Sequence, residues 1–98
     1  MNILLLCSAG MSTSLLVNNI KKVAPADYKV EAHPFAMLDS LVDEYDVILV
    51  GPQIRFKFEE IKKICEEKGK KCRLIDMMTY GRMDGKAALA LAENGEKE

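Results

Sequence analysis

Two short runs in this chain are apolar at every position, Ile3-Leu4-Leu5-Leu6 and Val47-Ile48-Leu49-Val50. Side chains on a strand alternate between its two faces, so a strand that is apolar at every step must be covered on both sides. Parallel sheets with helices packed above and below provide that cover. Between and after the runs, Leu16, Ile20 and Val23 recur at helical spacing until Pro25, and Phe58, Ile61, Ile64 and Cys65 do so ahead of Gly69. Tyr28 to Ala32 alternates as a weaker strand that His33-Pro34 is expected to break, and Ala36 to Val42 suits a short helix. Cys72 to Ile75 reads as the fourth strand. Tyr80-Gly81-Arg82-Met83-Asp84-Gly85 reads as a turn, and Lys86 to Glu93 as a final helix rich in alanine and leucine. The expected order is β-α-β-α-β-α-β-α, an open sheet of four parallel strands.

With 98 residues, 49% of them hydrophobic, the chain can bury one core. A single domain over 1–93 with a fraying tail at 94–98 is expected. The first apolar run is too short to span a bilayer and lacks the flanks of a secretory leader, which points to a soluble, cytoplasmic protein. Fourteen basic against fifteen acidic residues leave a formal charge of −1, no footprint for nucleic acid or an anionic membrane. The three cysteines are an odd, irregularly spaced set with neither a Cys-x-x-Cys pair nor a histidine cluster, so a reducing compartment is expected, and neither a metal nor a cofactor.

Chemistry concentrates at the end of the first strand. Cys7 is followed by Ser8-Ala9-Gly10-Met11-Ser12-Thr13-Ser14, small and hydroxylated residues leading into the first helical pattern. A strand that stops at Cys7 and a helix that starts near Ser12 would aim several backbone N–H groups at one point beside the sulfur. Such donors stabilise a thiolate, and equally the oxygens of a phosphoryl group bonded to it. The hydroxyls of Ser8, Ser12, Thr13 and Ser14 can add donors, and Ser12 and Thr13 suit a helix cap equally well. An accessible sulfur at the loop mouth is required. In open parallel sheets ligands gather beyond the carboxyl ends of the strands, where Cys7, Gly51 and the segment from Asp76 onward all fall.

Cys-Ser-Ala-Gly-Met-Ser-Thr-Ser at 7 to 14, Gly-Pro-Gln at 51 to 53 and Tyr-Gly-Arg-Met-Asp-Gly at 80 to 85 occur in order. In this the chain resembles the IIB component of the bacterial sugar phosphotransferase system, lactose/cellobiose/chitobiose class. The resemblance runs over residues 1 to 93. It implies a sheet of order 2-1-3-4 with helices on both faces, similar to low-molecular-weight tyrosine phosphatase. It also implies that Cys7 accepts a phosphoryl group from a phosphohistidine on the IIA component and passes it to a sugar, of the β-linked disaccharide kind, bound in the membrane IIC component. The carrier would be a monomeric cytoplasmic phosphotransferase that meets the membrane permease transiently. Sugar identity belongs to IIC and lies outside these 98 residues.

Two other functions compete with that reading. A tyrosine phosphatase of similar fold follows a Cys-x5-Arg pattern, and the sixth residue after Cys7 is Thr13, which lacks the guanidinium fork that grips phosphate oxygens. Its general acid would have to be Asp76 or Asp84. A non-catalytic module that binds an anion without covalent change is the other alternative. Around the loop, Gln53, Arg55, Lys57, Tyr80 and Arg82 are candidates for the site or a partner surface. Cys65 and Cys72 are expected in the core or at its edge, His33 in a loop, and most of Met77, Met78 and Met83 in the core. Met11 suits either a docking contact or packing over the sheet edge.

Overall fold

The computed structural model describes residues 1–7 and 11–94, and of Met11 and Ser12 the backbone only. The elements are β1 (Asn2–Cys7), α1 (Met11–Val23), β2 (Lys29–Pro34), α2 (Leu38–Leu41), β3 (Val47–Val50), α3 (Phe58–Glu67), β4 (Lys71–Leu74), α4 (Met77–Gly81) and α5 (Gly85–Asn94). Single 3-10 turns at Phe35–Met37 and Val42–Glu44 flank α2, and a longer 3-10 segment, Pro52–Lys57, leads into α3. Pro52 opens that segment, where its fixed φ and missing N–H cost nothing.

The four strands pair in the order β2-β1-β3-β4, all parallel, as the sequence resemblance implied. Strand periodicity divides the core in two. Ile3, Leu5, Val30, Val47 and Leu49 face Leu16, Val17 and Ile20 of α1 and Ala88, Leu89 and Ala92 of α5. Leu4, Leu6, Ile48 and Val50 face Leu38 of α2 and Ile61 and Cys65 of α3, with Val42, Tyr45 and Ile54 between. The two apolar runs are fully buried because each feeds both layers.

The α1/α5 contact requires a glycine. A Cβ on Gly85 would lie 2.3 Å from the carbonyl carbon of Asn19 and 2.6 Å from the amide nitrogen of Ile20, so the two helices touch backbone to backbone. Asn19 Nδ2 donates to the Met83 carbonyl at 2.8 Å beside this contact.

Several expectations fail locally. The segment read as a turn from Tyr80 contains the end of a helix: Asp76 caps α4, accepting from the Thr79 amide and hydroxyl at 3.0 and 2.7 Å. The true turn is shorter and uses a left-handed Met83, φ 51°. His33-Pro34 does not break β2, which continues through Pro34, so His33 lies on a strand and not in a loop. An edge strand tolerates proline because its outer amides need no partner. Met77 and Met78 are 67% and 63% exposed, against the expectation that most of the three methionines are core; only Met83 packs on the core. The final helix runs one residue beyond each end of the expected 86–93, and the tail at 95–98 lies outside the described residues.

Candidate active site

Cys7 ends the central strand β1, level with Pro34 of β2. By strand alternation its side chain follows Ile3 and Leu5 onto the α1 face, where the first turn of α1 crosses over it. Thr13, 1% exposed, donates its hydroxyl to the Cys7 sulfur at 3.3 Å. On the other side the thiol donates to the His33 carbonyl at 3.8 Å. The sulfur is therefore held between an acceptor suited to the thiol and a donor suited to the thiolate. The Thr13 hydroxyl thus reaches the sulfur itself, a contact that the sequence reading did not name.

Cys7 itself is 3% exposed. This corrects the expectation of an open sulfur, and its cause is position, since β2 and β3 flank the strand end and α1 starts above it. Ser8, Ala9 and Gly10 lie outside the described residues, as do the side chains of Met11 and Ser12. Ser14 is exposed on α1.

Around the strand ends, Gln53, Arg55 and Tyr80 line one cleft of about 300 Å³ with Pro52, Met77 and Gly81. Three of the five residues singled out as site or partner surface thus share one wall. Tyr80 stands there as a buried residue of α4, not as part of a loop, and Arg82 is exposed just past that helix. Gly51 keeps the neighbouring turn tight: its amide donates to the Leu6 carbonyl at 3.1 Å, and a Cβ there would meet Gln53 Oε1 at 3.0 Å. Lys57 is engaged elsewhere, 5.1 Å over the Phe35 ring and 3.7 Å from Glu60 Oε1. Phe56, next to Arg55, is 76% exposed and gave no signal in the sequence, because an apolar residue before a helix reads as core.

His33 belongs to a second polar group. Its Nε2 lies 3.2 Å from Glu31 Oε1, which also accepts from the Tyr45 hydroxyl at 2.6 Å. The tyrosine and histidine bonds hold the Glu31 carboxyl below its usual range, while burial and the bond to Glu31 push the Tyr45 phenol up. The ring is thus tied to β2, and only the backbone carbonyl of His33 meets Cys7. The two candidate acids are also committed. Asp76 caps α4, and its bonds to Thr79 hold its carboxyl below the usual range; Asp84 Oδ1 accepts from the Ala87 amide at 3.0 Å at the start of α5.

The site is thus a thiol at the end of a central strand, hydrogen-bonded from the first turn of the following helix. The family model of the lactose/cellobiose-specific IIB subunit of the phosphotransferase system matches residues 2–91. The chain belongs to that family. IIB components are phosphotransferases of sugar uptake. The galactose-specific EIIB component of Lactococcus lactis subsp. cremoris is 41% identical over 100 residues, which cover 94% of this chain and 93% of that one. The solution structure of the cellobiose-specific IIB component of Borrelia burgdorferi is 42% identical, with a TM-score of 0.80 over 97% of this chain and 90% of that one. The lactose-specific EIICB component of Streptococcus mutans is 29% identical over 102 residues, 99% of this chain and 18% of that much longer protein. Among the described residues of this IIB chain, no helix is long and apolar enough to cross a membrane, and no group of three or more His, Cys, Asp or Glu side chains is placed to hold a metal ion.

Proposed function

We propose that Cys7 of this IIB component is the phosphoryl carrier, within a single domain over 1–93. The observation that carries the reading is the 3.3 Å hydrogen bond from Thr13 to the Cys7 sulfur at the end of the central strand. In the first step the Cys7 thiol passes its proton to the imidazole of a phosphohistidine on the IIA component as its sulfur attacks the phosphorus; the P–N bond breaks, the S–P bond forms, and neutral imidazole leaves. In the second, a hydroxyl of a sugar held by the IIC component attacks that phosphorus, the O–P bond forms, the S–P bond breaks, and the alcohol's proton passes to water. The sulfur leaves as a thiolate, and the Thr13 hydroxyl is in place to stabilise that charge. Backbone and hydroxyl donors of Ser8, Ala9, Gly10, Met11, Ser12, Thr13 and Ser14 are assigned to the phosphoryl oxygens.

Gln53, Arg55, Tyr80 and Arg82 belong on this reading to the rim that receives IIA and then IIC. The carrier works as a cytoplasmic monomer that meets the permease transiently, and the names of the EIICB relatives, which join IIC and IIB in one polypeptide, support the second partnership. Hydrolysis is disfavoured by two facts: Thr13 occupies the place of a phosphate-gripping arginine, and Asp76 and Asp84 cap helices instead of facing the sulfur.

The decisive experiment supplies phosphoenolpyruvate, the general phosphotransferase components and IIA. Intact mass should show one added phosphoryl group, phosphorus NMR a thiophosphate signal, and Cys7→Ala neither. A wild-type protein that stays unmodified under a full set of donors overturns the carrier reading. Phosphate release from an aryl ester by the protein alone would favour the phosphatase.

A further inference from the structure

The acceptor on one side of the Cys7 sulfur, the His33 carbonyl at 3.8 Å, stands near the end of an edge strand. β2 is paired on one side only and stops at Pro34, one residue further on. Strand ends held by so few backbone bonds tend to fray. Here side chains hold the end as well. Val30 and Ala32 pack on the α1 layer, so by alternation Glu31 and His33 face the other layer, where Tyr45 is buried. The Tyr45 hydroxyl donates to Glu31 Oε1 at 2.6 Å, and His33 Nε2 lies 3.2 Å from the same oxygen. An ionised carboxylate only accepts, so the His33 ring supplies the proton of that second bond. The contacts Tyr45 to Glu31, Glu31 to His33 and His33 to Cys7 thus cross the sheet from a buried anchor to the reacting sulfur.

We propose that Glu31 is a positioning residue for phosphoryl transfer: bonded to Tyr45 and His33, it fixes the His33 carbonyl and through it the orientation of the Cys7 thiol. This role rests on the carrier reading of Cys7. The Thr13 hydroxyl donates to the sulfur at 3.3 Å and the His33 carbonyl accepts from it on the other side. One bond fixes a distance, and two on opposite sides fix a rotamer. Attack on phosphorus requires the sulfur in line with the bond that breaks, and a misplacement of about 1 Å can cost about 100-fold in rate. If the strand end is released, the carbonyl moves off and the sulfur is free to turn about its remaining bond to Thr13. Glu31 acts through the backbone of β2, from the face of the sheet opposite the sulfur.

The test compares Glu31→Ala, Glu31→Gln and Tyr45→Phe. Glutamine keeps a carbonyl oxygen for both donors, and phenylalanine keeps the buried ring and removes only the hydroxyl, which covers a folding defect in the alanine variant. Transfer from phosphorylated IIA to Cys7, at saturating IIA, should slow by about 3- to 10-fold in Glu31→Ala and Tyr45→Phe, less than a full misplacement because Thr13 still bonds the sulfur. Glu31→Gln should stay near wild type, and the IIA concentration for half-maximal rate should not change in any of them. The S–H stretch of Cys7, read by Raman difference against the same protein carrying Cys7→Ala, should move toward that of a free thiol in the two slowed variants and stay in place in Glu31→Gln. A wild-type rate with an unshifted band in Tyr45→Phe, equal slowing in Glu31→Ala and Glu31→Gln, or a loss confined to the IIA concentration overturns the proposal. The thiol band needs no phosphoryl donor: a wild-type protein that is never phosphorylated would remove the carrier reading and this role with it, whereas unaffected variants of a phosphorylated wild type would remove only the role of Glu31.

Discussion

On the face covered by α1 and α5, Leu16, Ile20, Ala88 and Ala92 are fully buried and two helices meet backbone to backbone at Gly85. At the rim beyond the carboxyl ends of the strands, Phe56, Met77 and Met78 are no less apolar, yet each is more than half exposed, beside a cleft that holds Gln53 and Arg55. The difference is one of what each region must do. A face packed by long elements is complete within the chain, and any change of volume is resisted on all sides. A rim made of short helices and turns leaves apolar surface uncovered, which is compatible with a component that exchanges partners.

Gly85→Ala should break the packed side most severely. The new methyl carbon would enter the backbone of Asn19 and Ile20, which cannot move as a flexible side-chain end can. A loss of about 3 kcal/mol is expected, toward the upper end of overpacking costs. Denaturant midpoints measure it, while phosphorylation of the fraction that remains folded should be unchanged. A loss under about 1 kcal/mol would mean that α1 and α5 are not in backbone contact.

Thr13→Val acts at the boundary of the two regions, since Thr13 is buried in the first turn of α1 and bonds the Cys7 sulfur. Removing a hydroxyl that bonds a thiolate should slow transfer from Cys7 to acceptor by about 10- to 100-fold, or roughly 1.4 to 2.7 kcal/mol. Stability should fall by only about 1 kcal/mol. Thr13→Ser should restore most of the rate. Equal slowing in the valine and serine variants would show that packing matters there and not the hydroxyl.

Asp76→Ala should cost about 1 kcal/mol through the lost cap of α4. Asp76→Asn keeps a capping oxygen and removes the charge, so it isolates the pH dependence. The folded-state value of Asp76 is depressed below its ordinary value of about 3.9, so its charge stabilises the fold above that pH and the contribution is lost as pH falls through the folded value. Thermal midpoints of wild type and Asp76→Asn should therefore differ most at neutral pH and converge in acid. A gap that widens in acid would reverse the sign.

The packed face was legible in the sequence because its signal is repeated. Every second residue of β1 and β3 and every third or fourth of α1 report the same surface, and strand order followed once the motif beside Cys7 pointed to a known family. The rim was legible as a place and misread in its details. Tyr80-Gly81-Arg82 carries a glycine, a residue typical of turns, but the cap that starts α4, Asp76 with Thr79, lies upstream and outside the motif. His33-Pro34 carries a breaker that an edge strand tolerates. The burial of Cys7 was not legible, because it depends on where α1 begins relative to two flanking strands, a tertiary distance that no local pattern encodes.

The smallest effect on stability is the one that most sharpens the comparison. Met77→Ser together with Met78→Ser should change unfolding free energy by no more than about 0.5 kcal/mol, since both side chains stand in solvent. Leu16→Ala, one layer away, should cost about 2 to 5 kcal/mol for a fully buried leucine. If the methionines form part of the rim that receives a partner, the double variant should also raise the IIA concentration needed for half-maximal phosphorylation of Cys7, while leaving the rate at saturation unchanged. Burial of apolar surface on docking is the term removed, and the charge on the sulfur is untouched. A stable variant with unaltered IIA dependence would assign these methionines to no interface with IIA and leave docking to Gln53, Arg55 and the loop beside Cys7.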